Sequence, residues 1–180
     1  ANAAADFYKG LTAYEAGDYE TALREFKPLA EQGNALAQYN LGRMYQRGFG
    51  VLQDYKEAVK WYTKATQQGF ADAQFQLGVM YYNGYGVPQD SKEAVKWYTK
   101  AAEQGVAAAQ FMLGHRHYQG EGVLQDNVYA HMWWNIASSN GIEGARGYRD
   151  MVAEREMTSE QIAEAQRLAR ECVKKDYKNC

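Results

Sequence analysis

The chain has 180 residues, 46% hydrophobic and 23% charged, with 20 Lys and Arg set against 22 Asp and Glu. A formal charge of -2 with interspersed signs offers no field for a polyanion, so no nucleic-acid partner is expected. No apolar run approaches the roughly 20 residues needed to cross a bilayer, which excludes membrane insertion. A chain of this length buries roughly 70% of its unfolded surface, so it needs neither a metal nor a dense disulfide framework to fold.

In chain order, residues 1–33 contain DFYKGLTAYEAGDYETALREFKPLAEQG, a helix pair with a short central loop that keeps Gly10, Ala22, Phe26 and Gly33 as markers. From there glycine recurs at Gly33, Gly69, Gly105 and Gly141 and alanine at Ala37, Ala73, Ala109 and Ala145, each series stepping by thirty-six. This defines repeats at 34–69, 70–105 and 106–141, after a divergent first repeat. In each, a first helix is signalled by Leu41, Gly42 and Tyr45 and a second by Ala58, Tyr62 and Ala65, or their equivalents. The GFGV, GYGV and GEGV segments connect them as tight loops. Asp54 with Glu57, and Asp90 with Glu93, read as capping boxes at the second helices. Gly33, Gly69 and Gly105 fall where a left-handed residue closes a helix. Gly42, Gly78 and Gly114 are expected to face Ala58, Ala94 and Ala130 where the two helices approach. After Gly141 the period decays, and residues 142–180 read as a capping pair whose second helix opens on Thr158 and Gln161. The expected fold is all-α, a right-handed α-solenoid of tandem antiparallel helix pairs forming one domain over 1–180.

The AQ-x-x-LG-x-x-Y, G-x-GV-x-QD and EAVKWYTKAA-x-QG elements resemble the Sel-one-like repeat (SLR) family, a relative of the tetratricopeptide repeats (TPR). The resemblance is strong over 34–141. It implies an adaptor that gathers other proteins, in bacteria often an exported one. A cysteine-rich branch of the family, associated with penicillin-like compounds, carries a disulfide inside each helix pair. No repeat here contains cysteine, so that association does not carry over.

In the related TPR fold the exposed positions of the first helices line a concave groove. Mapped by the shared glycine, the candidate partner-binding residues are Tyr39, Arg43, Gln46 and Arg47; Phe75, Val79, Tyr82 and Asn83; and Phe111, His115, Tyr118 and Gln119. The first repeat adds Phe7, Leu11, Tyr14 and Glu15. Aromatic anchors beside adaptable polar groups suit a peptide or partner helix. The alternative is that Tyr39, Phe75 and Phe111 pack between neighbouring repeats. Arg43 and Arg47, one turn apart, suit a partner carboxylate or else form a solvated face. Lys56, Lys60, Lys64, Lys92, Lys96 and Lys100 read as the convex, solvated side.

His115 and His117 point nearly opposite ways on a helix and His131 has no companion at ligand spacing, so neither metal nor cofactor is expected. Trp61, Trp97, Trp133 and Trp134 read as packing residues. No nucleophile elbow, P-loop or HExxH occurs, and the reading is non-enzymatic. A small-molecule hydrolase and a structural, self-assembling envelope protein are the alternatives. The expected partner is a protein or peptide, bound by a monomer. Cys172 and Cys180 would lie about 12 Å apart on a continuous helix, beyond the roughly 7 Å reach of a disulfide. If the helix stops near Lys175 and DYKN folds back, a bridge would restrain the tail in an oxidising compartment. With a start at ANAAAD and no Met, this points to a periplasmic or secreted mature chain, with reduced thiols in the cytoplasm as the alternative.

Overall fold

The computed structural model describes residues 5–180. Among them the ordered elements are α-helices without a strand: α1 (Phe7–Glu15), α2 (Tyr19–Glu31), α3 (Ala35–Arg47), α4 (Tyr55–Gln67), α5 (Ala71–Asn83), α6 (Ser91–Ala102), α7 (Ala107–Gln119), α8 (Asn127–Ser139), α9 (Glu143–Glu156) and α10 (Ser159–Lys174). They fall into two compact units, one ending at Gln89 and one spanning Asp90–Cys180. In the first unit α1 to α5 pack each on the next. In the second, α6, α7, α8 and α9 do the same, while α10 returns to pack on α8.

Helix boundaries follow from local chemistry. The Asp54 carboxylate accepts the backbone N–H groups of Lys56 and Glu57 at 2.9 and 3.1 Å, and Asp90 does the same for Lys92 and Glu93. The reciprocal half of the expected capping box does not form there. Glu57 and Glu93 turn instead to Lys60 and Lys96, each at 3.0 Å, because an ammonium one turn along is a stronger partner for a carboxylate than a neutral N–H. Thr158 and Gln161 make both halves, at 2.8 and 3.2 Å.

The expected Gly–Ala pairing is also corrected. A Cβ on Gly42 would lie 2.7 Å from the Tyr62 ring, and one on Gly114 would lie 2.5 Å from Trp134. Each glycine therefore receives an aromatic ring one turn beyond the alanine. Ala58 and Ala130 are themselves fully buried.

The second glycine of each connecting loop has a different reason. A Cβ on Gly86 would stand 2.4 Å from the carbonyl oxygen of Tyr55, and one on Gly122 would stand 2.3 Å from that of Ser91, at φ of +73° and +78°. The loop thus lies directly on the first turn of the preceding repeat's second helix. Gly122→Ala is expected to destabilise the second unit by about 3 kcal/mol, from left-handed backbone strain plus a backbone clash that no rotamer relieves. A melt of this variant beside Gly144→Ala, where nothing lies within 4 Å of the new methyl, checks it.

A polar lock joins successive repeats. Gln38 is buried, donates to the Ala30 carbonyl at 3.1 Å and accepts from Gln68 at 2.9 Å. Gln110 repeats this with Ala102 at 3.3 Å and Asn140 at 2.8 Å. The AQ and QG elements are the two halves of this lock, so a buried amide satisfies the last carbonyls of the helix before it.

After α10, Asp176, Tyr177 and Asn179 take positive φ values and the chain reverses. Cys172 and Cys180 come to a Cα separation of 5.3 Å and are joined as a disulfide. The Tyr177 hydroxyl meets Asn140 at 3.2 Å, and the Asn179 N–H donates to Glu103 at 3.2 Å.

Candidate functional site

The first helices carry the candidate residues, and each unit gathers its own cluster. In the first unit, α3 holds Arg43 with its guanidinium 5.0 Å from the Tyr14 ring centre and 5.7 Å from that of Tyr39. Arg47 lies one turn on, 5.8 Å from Phe49. Among the described residues no carboxylate forms an ion pair with either arginine. They are positioned by aromatic faces and keep their charge unneutralised. Gln46 accepts the Tyr62 hydroxyl at 2.5 Å. Tyr39 packs on Tyr62 and Phe70 at 6.0 and 5.2 Å and is half-buried. Burial raises the pKa of both Tyr39 and Tyr62 above the ordinary tyrosine value, which keeps the phenols neutral beside the arginines.

On α5, Phe75, Val79 and Tyr82 are partly exposed, and the exposed Asn83 amide donates to the Val79 carbonyl at 2.9 Å. From α1, Phe7 packs against Phe26 at 5.5 Å and Leu11 joins the same core, while Glu15 is exposed. Phe7 and Leu11 are thus substantially structural, whereas Tyr14 supports Arg43.

In the second unit, His115 is held by three rings, with centroids at 4.6 Å to Phe111, 5.2 Å to Trp134 and 4.6 Å to Tyr148. Tyr118 donates to Glu156 at 2.6 Å, a bond that raises its pKa. The exposed Gln119 side chain accepts from Arg116 at 2.9 Å. Tyr148 and Glu156 were not legible as members of this cluster, since α9 lies outside the thirty-six-residue period.

His117 faces a different group, stacking on Tyr129 at 5.2 Å, and His131 is buried on α8. Burial lowers the pKa of all three histidines, with the nearby Arg116 cation adding to the effect at His115 and the Arg149 cation at His131. They do not converge on one point. Trp61 packs with Ala30, Ala37 and Leu41 and is covered by Lys64 at 4.5 Å, and Lys100 covers Trp97 at 4.4 Å. The six lysines of α4 and α6 are exposed.

The Sel1 repeat profile matches residues 35–70, 71–106 and 107–142. The chain belongs to the Sel1 repeat family. Its fold is the all-α repeat solenoid of that family, within the wider TPR-like group. A Sel1 repeat protein from Oxalobacter formigenes is 31% identical with a TM-score of 0.80, covering 93% of this chain and 75% of that one. A protective antigen present in uropathogenic Escherichia coli strains, displaying an SLR fold, is 36% identical with a TM-score of 0.81. That match covers 92% of this Sel1 repeat chain and 37% of the antigen. Helicobacter pylori cysteine rich protein B, 22% identical over 72% of this chain and 93% of its own, with a TM-score of 0.58, shares the fold. No curated relative matches the chain by sequence. Sel1 repeat proteins are generally protein-interaction scaffolds, and no described helix is long and apolar enough to cross a membrane.

Proposed function

We propose that this Sel1 repeat protein is a non-enzymatic adaptor that captures a protein or peptide segment along the face formed by α1, α3 and α5. The observation that carries the reading is Arg43, fixed between the rings of Tyr14 and Tyr39 with no acidic partner of its own among the described residues. A guanidinium held in this way binds a carboxylate at little entropic cost, and the partly exposed rings of Tyr14 and Tyr39 supply contact area beside it. The captured segment is therefore acidic and carries at least one apolar residue. In the second unit the corresponding residues Phe111, His115 and Tyr118 offer aromatic contact area of their own, with the Glu156 carboxylate beside Tyr118.

The Cys172–Cys180 bridge favours an oxidising compartment, and with it export to the periplasm or beyond. The test is affinity capture from the envelope and secreted fractions of the source organism, comparing the natural protein with Arg43→Glu/Tyr82→Ala by mass spectrometry. A partner lost with the double variant, whose melting temperature changes by no more than a few degrees, is the expected outcome. Identical captures would contradict the reading.

A further inference from the structure

The 106–141 repeat departs from its two sisters on the second-helix face. Where α4 and α6 present Lys60 with Lys64 and Lys96 with Lys100 to solvent, α8 carries Met132 and Ile136, at 1% and 2% exposure. α10 packs over this face but leaves an open groove of about 350 Å³ between α8 and α10. Its floor is Ile136, Ala169 and Val173, the last of these 51% exposed. Its rim is formed by Arg170 and Lys174, one turn apart on α10, with Asn135 and Ser139 on α8.

The charge of that rim is one-sided, and the Ser139 hydroxyl is spent on the Asn135 carbonyl at 3.0 Å. Asn135 uses its Oδ1 to accept from Arg149 at 2.9 Å, which leaves its N–H groups as the donors available to a ligand. Among the described residues no carboxylate lines the groove. Arg167, one turn before Arg170 and two before Lys174 on the same side of α10, is fully engaged by Glu164 and Glu171 at 2.5 to 2.8 Å. Arg170 and Lys174, by contrast, form no ion pair with any described residue. The last turn of α10 is fixed from behind by the Cys172–Cys180 bridge and by Tyr177 on Asn140, so the walls are set before a ligand arrives.

We propose that this groove docks an extended partner segment in which an aliphatic side chain stands next to a carboxylate. The apolar floor takes the side chain, and Arg170 and Lys174 take the acid. Its volume sits at the low end of the roughly 300–1,000 Å³ typical of ligand pockets, which fits a two-residue segment. The site uses none of the residues of the first-helix faces, so it stands or falls separately from the adaptor reading.

The test is a methyl-detected NMR titration of the intact, oxidised chain with a synthetic glycine–serine peptide bearing a central leucine–glutamate pair. Parallel arms use the leucine–glutamine peptide and free decanoate. The leucine–glutamate peptide should move the Ile136 and Val173 methyl signals saturably and bind at least about tenfold more tightly than the leucine–glutamine peptide. Arg170→Glu/Lys174→Glu should weaken it by about tenfold or more, with an unchanged far-ultraviolet circular dichroism spectrum. Should charge reversal disturb α10, Arg170→Gln/Lys174→Gln carries the same expectation. Absence of shifts at millimolar peptide, equal binding of the leucine–glutamine peptide, or tighter binding of decanoate than of peptide would each overturn the proposal.

Discussion

Trp134→Ala is expected to cost about 4 kcal/mol and to lower the thermal transition of the 180-residue chain by roughly 8–16 °C. Trp134 is fully buried and closes the helix pair by lying in the gap left by Gly114. It also carries His115, Tyr118 and Tyr148 at ring separations of 5.2, 5.7 and 5.4 Å. Truncation removes the ring and leaves a cavity that α7 cannot fill, because Gly114 has no side chain to offer. The aromatic cluster on α7 and α9 should loosen with it. Trp97→Ala removes a half-buried ring beneath Lys100 and should cost less than half as much. Calorimetry of the two variants checks both values, and similar costs would show that the glycine–tryptophan contact does not set the packing.

Mild acid is expected to weaken the second unit through its histidines. All three histidines of the chain lie in the 106–141 repeat. His131 stands where the sister repeats have Val59 and Val95, and its Nδ1 is buried without a partner. Its folded pKa lies below the ordinary 6.5, through burial first and the Arg149 cation second, with Asp150 opposing. The unfolded chain therefore binds protons that the folded chain refuses. Stability is level above about pH 6.5 and falls as the pH drops below it, with a limiting slope of about 1.4 kcal/mol per pH unit for His131 alone. His115 and His117 are shifted in the same direction. The lowered carboxylates Glu25 and Glu164 lose their stabilising ionised form only further down, below about 4.5. His131→Val should keep the fold and flatten the decline between pH 6.5 and 5. An unchanged pH profile in that variant would remove His131 from the account.

Much of the scaffold was legible because its determinants are local and periodic. A thirty-six-residue step in Gly33, Gly69, Gly105 and Gly141 is visible without coordinates, and these glycines take φ between +77° and +99°. Side-chain direction was harder to read. Small residues at Gly42 and Ala58 suggested a direct contact, yet helical side chains lean toward the N-terminus, so the Tyr62 ring covers the level of Ala58 and fills the space over Gly42. The Asp54–Glu57 spacing was correct for a cap, but the competing Lys60 decided where Glu57 points. The return of α10 onto α8 had a readable signal in Met132 and Ile136, which replace two lysines of each sister repeat. At the candidate site, the residues of α3 followed from the repeat register. The support of Arg43 by Tyr14, and the inclusion of Tyr148 beside His115, depend on packing between repeats that no single-repeat pattern encodes.

The most direct test is photo-crosslinking of the captured partner from two positions, with p-benzoylphenylalanine replacing Tyr82 on the first-helix face or Lys60 on the second-helix face. Crosslinks from position 82 that disappear when Arg43→Glu is added, with none from position 60, are what capture along α1, α3 and α5 predicts. Crosslinks from position 60 alone, or from position 82 with undiminished yield in the presence of Arg43→Glu, would contradict it.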